Sequence, residues 1–288
     1  MLHQFLGTNT ANAQSLDPYS AIEDGLVQRK QFNSHEEAEK LHKPEYAKAL
    51  AFARKHITPS PDSDEFYRAA PKVEVIQKLS EIYDALPGLE KKKALKIQFA
   101  PSSGAFDENG FEKQCQMLYP DEDFSDAAGV FFPSSDDAKS HTVILRSNIT
   151  SEAMCHEIGH VIHESNDPAA YGPVERGVDY KRIQAAIEYS IQASKGKRFD
   201  ATALNEEPTA IQTMVKNIDT LIQSIKNGDS GNKELMANII GIYLSGNIRT
   251  KEYIERKYSI SFSGKNEYNL IDIALDYVRG SGYSITST

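Results

Sequence analysis

One short segment of the chain has the residue types and the spacing needed to hold a metal ion. His156 and His160 stand four residues apart, with Glu157 between them, in the sequence His-Glu-Ile-Gly-His. Residues four apart share one face of an α-helix, so two imidazoles at this spacing reach the same ion. A glutamate beside them can take the proton of a metal-bound water. The pattern predicts a zinc site with His156 and His160 as ligands and Glu157 as the general base.

A catalytic zinc ion usually has three protein ligands and one open position for water, so a third ligand must come from elsewhere in the chain. The metzincin pattern would need glycine at position 163 and histidine at 166, where this chain has His163 and Asn166. Asp167, just beyond the histidine pair, is one conceivable carboxylate ligand. Glu188, in the next predicted helix, is another.

The best candidate for the third ligand is Glu207, near the start of a helix predicted over 205–226. A helical projection places Glu207 on the apolar stripe of Ile211 and Met214, whereas Glu206 falls on the flank of that stripe. A carboxylate on a buried face is unfavourable unless a cation compensates it. We therefore expect Glu207, rather than Glu206, to complete the zinc site.

Composition and periodicity divide the chain into four regions. Residues 1–33 are polar and aperiodic, which predicts a partly disordered segment. Residues 34–90 form a helical N-terminal region, and residues 91–165 form an upper lobe that contains the sheet and the metal helix. Residues 166–288 form a helical lower lobe that supplies the third ligand. The predicted strands are 95–99, 129–132 and 142–146, and the predicted helices are 34–56, 63–86, 110–118, 150–165, 178–195, 205–226, 232–245, 249–258 and 267–278.

This order of elements predicts an α+β fold of the zincin-like type. A small mixed sheet packs on the metal helix, and a mainly helical lobe follows. The strand at 142–146 comes directly before the metal helix and is the expected edge of the sheet. An open edge binds an extended peptide through backbone hydrogen bonds, so the expected partner is a protein or peptide substrate lying along this strand.

Charge and composition exclude several other classes of protein. The net charge of −9 argues against nucleic acid as the main partner. No apolar run is long enough to span a bilayer, and the N-terminus lacks the basic and apolar segments of a signal peptide. Cys115 and Cys155 are the only cysteines, which is too few for a disulfide framework and fits a reducing compartment. We therefore expect the protein to be cytoplasmic in the cell that produces it.

The His-Glu-x-x-His motif, with a Glu-Glu-x-x-Ala sequence some 45 residues later, resembles the gluzincin metallopeptidases. It is most similar to the catalytic domain of anthrax lethal factor and to the clostridial Pro-Pro endopeptidases. The matching residues are His156, Glu157, His160, Glu207 and Ala210. The resemblance implies a zinc-dependent endopeptidase. By analogy with the toxin proteases, it also implies a bacterial effector or virulence factor that enters a host cell without a signal peptide.

The family also places a tyrosine seven residues before its glutamate ligand, where the hydroxyl faces the substrate carbonyl oxygen. That position is Asp200 here, so the role would pass to Tyr171, Tyr180 or Tyr189. His163 lies one further turn along the metal face and is a candidate to support the site or to bind substrate.

Two other interpretations stay open at this stage. One is a zincin that has lost catalysis and binds a partner protein through its cleft. The other is a regulatory metallopeptidase that cleaves one partner in its own cell. An intact Glu157 favours an enzyme over a binding module, but the sequence does not separate an effector from a regulatory peptidase.

Overall fold

The computed structural model describes residues 52–53, 55–58, 73–86, 95–100, 110–134, 141–171, 180–194, 202–258 and 270–280. Within these ranges the chain is α+β and mainly helical, as predicted. The strands are β1 (Ile57–Thr58), β2 (Leu95–Ala100), β3 (Gly129–Phe132) and β4 (His141–Arg146). The helices are α1 (Val73–Ala85), α2 (Phe111–Leu118), α3 (Ser151–Asn166), α4 (Tyr180–Ser194), α5 (Thr209–Lys226), α6 (Asn232–Ser245), α7 (Ile248–Tyr258) and α8 (Leu270–Gly280). Short 3-10 turns cover Pro168–Tyr171 and Thr202–Leu204.

The strands form one small mixed sheet in the order β1-β2-β4-β3. β1, β2 and β4 are parallel, whereas β3 runs antiparallel to β4. β4 therefore lies inside the sheet and β3 forms the edge, so the prediction that 142–146 is the edge strand was wrong. The burial of Val143, Ile144 and Leu145 gives the physical reason. Three consecutive buried residues are typical of a strand that is covered on both faces, not of one that borders a cleft.

Helices cover both faces of the sheet. On one face, Phe111 of α2 packs with Phe132 and Ile144 in a small separate core. On the other face, Val143 and Leu145 belong to a large core that includes α1, α3 and the C-terminal helices. Successive side chains of a strand point to opposite faces, so this sheet contributes to both cores.

Helix α3 carries the metal motif. Its first turn is capped by Thr150, whose side-chain oxygen accepts a hydrogen bond from the backbone N–H of Ala153 at 3.3 Å. This cap satisfies one of the amide groups that a helix start leaves without a partner. The helix then continues through the motif to Asn166, with β3 and α6 among the elements packed against it.

The contact between α3 and α6 is the most extensive helix contact in the part of the chain that the structure describes. Glycines on both helices allow their backbones to meet. A Cβ atom at Gly159 of α3 would lie 2.6 Å from the carbonyl oxygen of Ala237, and one at Gly241 of α6 would lie 2.9 Å from the Cα of His156. No other residue type fits at these separations unless the helices move apart. The start of α6 is therefore held close to the metal face of α3.

The predicted helices and strands that fall on described residues are confirmed, with ends within about four residues of those observed. Helix α1 confirms the described part of the helix predicted over 63–86. The segment 1–33 and most of the helix predicted over 34–56 lie outside the described residues. The division into four regions stays a prediction. Among the helices that the structure describes, none has the length and apolar character needed to cross a bilayer.

Candidate metal centre

Three side chains from α3 and α6 converge on one point. The Nε2 atoms of His156 and His160 lie 3.2 Å apart. The carboxylate of Glu234, in the first turn of α6, places Oε2 3.5 Å from Nε2 of His156 and Oε1 3.4 Å from Nε2 of His160. The three residues form a group that could hold a metal ion.

The separations between these donor atoms fit a tetrahedral zinc site. Zinc is bound by imidazole nitrogen and carboxylate oxygen at roughly 2.0–2.2 Å, so neighbouring ligand atoms of a tetrahedron lie about 3.3–3.6 Å apart. The imidazole nitrogens are 3.2 Å apart, and the two oxygens of Glu234 lie 3.4 and 3.5 Å from one imidazole each, so all three distances are close to that range. Two imidazoles and one carboxylate are also a ligand set found in catalytic zinc sites. The three side chains are therefore within reach of one zinc ion.

Glu207 does not belong to this group, so the prediction that it is the third ligand was wrong. Its carboxylate accepts a hydrogen bond from Nδ2 of Asn247, beyond the C-terminal end of α6, whereas Glu234 lies at the N-terminal end. The stretch of helix from Glu234 to Ser245 spans about 16 Å, and Asn247 lies beyond that end. The helical projection failed because α5 is capped by Pro208 and begins at Thr209. Glu207 precedes the helix and does not continue its stripe.

The other carboxylates considered for the site lie elsewhere. Glu206 forms an exposed ion pair with Arg249, with an oxygen-to-nitrogen distance of 3.1 Å. Glu188 is exposed on α4. Asp167 is buried at the C-cap of α3. None of these belongs to the donor group that Glu234 completes.

Sequence features that point to Glu234 were available. The segment Glu234-Leu235-Met236-Ala237 has the same Glu-x-x-Ala spacing as the segment that begins at Glu207. Glu234 is also the only acidic residue of α6, a helix whose residues are otherwise mostly buried and apolar. These two features marked Glu234 as a candidate ligand, and the helix dipole also favours a carboxylate in a first turn.

Glu157 is buried beside the metal ligands, beneath the edge strand. A Cβ atom at Gly129, the first residue of β3, would lie 2.7 Å from Cγ of Glu157. Burial raises the pKa of Glu157, while the nearby charges of His156 and His160 act in the opposite direction. A carboxyl group with a raised pKa is a better proton acceptor, which is the property that a general base requires.

The charges of the three converging groups are coupled. Burial opposes protonation of His156, but its hydrogen bond with Glu234 and the charges of Glu157 and Glu234 outweigh burial and raise its pKa. Burial acts against the ionised form of Glu234, but the two histidines outweigh it and hold the pKa of Glu234 well below its usual range. Glu234 is therefore ionised at neutral pH and attracts a cation to this point.

Of the three candidate tyrosines, only Tyr171 is among the residues that line the described cleft. Its hydroxyl oxygen lies 3.1 Å from Nδ1 of His160 and 3.4 Å from Nδ1 of His163. His163 itself is fully buried, and burial together with the charge of His160 lowers its pKa to about 3. Tyr180 and Tyr189 lie on α4, away from the residues that line the cleft.

The metal centre opens into a cleft of about 1470 Å³. This volume exceeds the roughly 300–1,000 Å³ of typical small-molecule pockets and suits a longer, extended ligand. The whole of β3 lines one wall of the cleft, together with the segment 124–128 before it. Glu157, Tyr171 and Glu234 also line the cleft.

Arg146, the last residue of β4, holds the segment 124–128 that leads into the edge strand β3. Its guanidinium group donates hydrogen bonds to the backbone oxygens of Phe124, Ser125 and Ala127 at 3.1, 3.0 and 2.6 Å. It also pairs with Glu112 of α2 at 2.9 Å. A planar group with several donors is suited to holding a loop in one conformation. The part of the cleft wall formed by residues 124–128 is therefore anchored to β4.

A buried pair holds the other end of the edge strand. Nε2 of His141 lies 2.9 Å from a carboxylate oxygen of Glu164 on α3. Nδ1 of the same ring accepts a hydrogen bond from the backbone N–H of Ser134 at 3.0 Å, so Nε2 carries the proton and donates to Glu164. This arrangement links the residues after β3, the start of β4 and the metal helix.

Comparison of the chain with protein-family models, with curated proteins and with solved structures gave no match.

Proposed function

We propose that the protein is a zinc-dependent endopeptidase. The observation that carries this proposal is the convergence of His156, His160 and Glu234 on one point, beside the buried Glu157. The three converging residues would hold Zn²⁺. When bound, zinc lowers the pKa of a coordinated water and polarises the carbonyl group of the substrate.

The chain's own residues supply the proton transfers and the binding of substrate. Glu157 accepts the proton of the attacking water and passes it to the leaving amine. β3 is the last strand on its side of the sheet among the described residues, and its outer backbone edge would bind an extended peptide in the cleft above Glu157. Gly129 allows this strand to pass close to Glu157. The scissile bond of a peptide bound along the strand would therefore lie close to the general base.

The arrangement supports a zincin-like fold of the gluzincin type. A small sheet lies beside the helix that carries the histidine motif, its edge strand is antiparallel, and a glutamate from a later helix joins the histidines. Glu234 and Ala237 take the places in the resemblance that the sequence had suggested for Glu207 and Ala210. A bacterial effector or toxin role follows from the resemblance to toxin proteases and is proposed on that ground alone.

Zinc content and peptide cleavage test the proposal together. We expect about one zinc ion per chain by elemental analysis of protein purified without added metal. A peptide library should be cleaved by the native protein, and a zinc chelator should stop the cleavage.

Glu157→Gln is the first prediction, because an amide has nearly the same shape as the carboxylate but does not accept the proton. The variant should retain zinc and lower the cleavage rate by about 10²–10⁴-fold. Cleavage near the native rate would show that Glu157 is not the base. If the native protein binds zinc but cleaves neither the library nor a cell lysate, the proposal of an endopeptidase is wrong, and a partner-binding module takes its place.

A further inference from the structure

Beyond the three ligands, a chain of hydrogen bonds continues from His160 into the protein. The Nε2 atom of His160 faces His156 and Glu234, which leaves Nδ1 on the other side of the ring. Nδ1 lies 3.1 Å from the hydroxyl of Tyr171, and that hydroxyl lies 3.4 Å from Nδ1 of His163. The hydroxyl of Tyr171 therefore bridges the two imidazoles, on the side of His160 that faces away from the donor group.

The direction of each hydrogen bond follows from the needs of a metal ligand. An imidazole binds a metal through a nitrogen that carries no proton, so a ligand Nε2 requires the proton of His160 on Nδ1. Nδ1–H then donates to the oxygen of Tyr171, and the hydroxyl of Tyr171 donates to Nδ1 of His163. These directions place no two donors against each other. The neutral His163 ring then carries its proton on Nε2, a buried atom with no hydrogen-bond partner among the described residues.

The tyrosine is itself fixed by both walls of the cleft. Its ring meets the ring of Phe131 from β3 edge-to-face at 5.6 Å. The ammonium group of Lys233, next to Glu234 on α6, lies 5.8 Å from the ring centre. Tyr171 thus contacts the edge strand, the metal helix and the helix of the third ligand, so its hydroxyl has little freedom to leave His160.

The far end of the chain is equally constrained. His163 lies one turn after His160 on α3 and is fully buried. Its ring packs against Tyr171 and Tyr277, with ring centres 5.4 and 4.9 Å away. These contacts keep Nδ1 directed at the tyrosine hydroxyl.

We infer that Tyr171 and His163 are positioning residues that hold the His160 imidazole in the tautomer and orientation needed to bind a metal ion. The inference rests on the proposed function only in its assignment of His160 as a zinc ligand. It assigns Tyr171 a task other than facing the substrate carbonyl, because the hydroxyl is engaged on the far side of the ring from Nε2. Partners of this kind commonly change metal affinity about 10–100-fold when they are removed.

Zinc affinity in Tyr171→Phe, measured by competition with a chromogenic chelator, tests the inference. We expect a loss of about 10–100-fold, with the secondary structure unchanged by circular dichroism. Tyr189→Phe, the same change on α4 away from the cleft, should bind zinc like the native protein. His163→Leu should weaken zinc binding less, because the tyrosine oxygen still accepts from His160. His163→Asn, which can restore an acceptor near the Nδ1 position, should recover part of that loss.

NMR of the imidazole nitrogens in the zinc-loaded protein measures where the His160 proton lies. A purely structural role of Tyr171 would leave that protonation unchanged. The native protein should show His160 protonated on Nδ1, with a slowly exchanging proton that exchanges faster in Tyr171→Phe. Unchanged zinc affinity and an unchanged Nδ1 proton in Tyr171→Phe would overturn the inference, whether or not the protein cleaves peptides. Native protein that binds zinc but cleaves nothing would overturn only the endopeptidase. Native protein that binds no zinc would overturn both.

Discussion

Helices α5 and α6 both begin near a glutamate, yet the two glutamates have different surroundings. Glu207 stands before α5, outside the helix, and its carboxylate accepts a hydrogen bond from Asn247. Glu234 stands inside the first turn of α6 and faces two histidines. α5 is amphipathic and keeps one face in water, whereas α6 is buried on nearly all sides. A metal-binding carboxylate is therefore positioned by how closely its helix approaches the partner helix, and an apolar stripe nearby is not sufficient.

The largest effect that follows from this comparison concerns zinc affinity. Glu234→Ala should weaken zinc binding by more than about 100-fold, because removal of a direct ligand should exceed the effect of removing a supporting group. Glu207→Ala should leave the affinity within about threefold of the native value, since its carboxylate is bound to Asn247 at the opposite end of α6 and is not part of the donor group. Chelator competition on both variants measures the difference. If Glu207→Ala were the variant that lost zinc, the assignment of α6 as the ligand helix would fail.

An intermediate effect is expected where α3 and α6 touch. Gly159→Ala and Gly241→Ala each add a methyl group against backbone atoms of the other helix. The resulting separation should cost about 1–3 kcal/mol of unfolding free energy, and alanine gains roughly 1 kcal/mol over glycine in a helix, so we expect a net loss of up to about 2 kcal/mol. Zinc affinity should fall as well, because Glu234 moves away from the histidines.

Chemical denaturation with and without zinc measures both consequences of the glycine substitutions. Lys216→Ala, on the exposed face of α5 and outside the cleft lining, is the control and should unfold like the native protein or slightly later. Native stability and native zinc affinity in both glycine variants would mean that the helices do not need their close approach.

The smallest effect belongs to the region around Glu207. Asn247 donates to that carboxylate and also caps α7, where its Oδ1 accepts from the backbone N–H of Thr250 at 2.9 Å. Asn247→Ala should lower the unfolding free energy by about 0.5–2 kcal/mol through loss of the cap, with zinc affinity unchanged. Thermal melting and chelator competition on the same sample give the two values. A loss of zinc affinity in this variant would contradict the separation of the two ends of α6.

Much of the architecture was predictable because its signals are local. The motif His156–His160 fixes a face of one helix, and the alternation at 95–99 and 129–132 marks strands. The order of the strands in the sheet depends on contacts between distant segments. The sequence therefore predicted the edge at 142–146, whereas the edge strand is β3. The third ligand depended on which later helix packs on α3, and a helical projection made from one segment does not contain that contact.

Glu207 shows most clearly why the sequence alone did not predict the third ligand. Its projection assumed a helix that includes residue 207, but Pro208 caps α5 and the helix begins one residue later. The two glycines that bring α3 and α6 together were visible in the sequence. Their meaning becomes clear only when the two helices are seen side by side, because a glycine in a helix has several possible causes.

The close backbone contact of α3 and α6 also has a consequence for hydrogen exchange. Amides exchange with solvent through local openings, and segments with the densest buried contacts open last. Two side chains of the donor group lie on α3 and the third on α6, so we expect all three to belong to the slowest-exchanging unit of the described chain. Local opening of α7, or of the residues on the exposed face of α5, would then leave the histidines and the glutamate together. Strand β3, which pairs on one side only among the described strands, would be free to open while the donor group beneath it stays assembled.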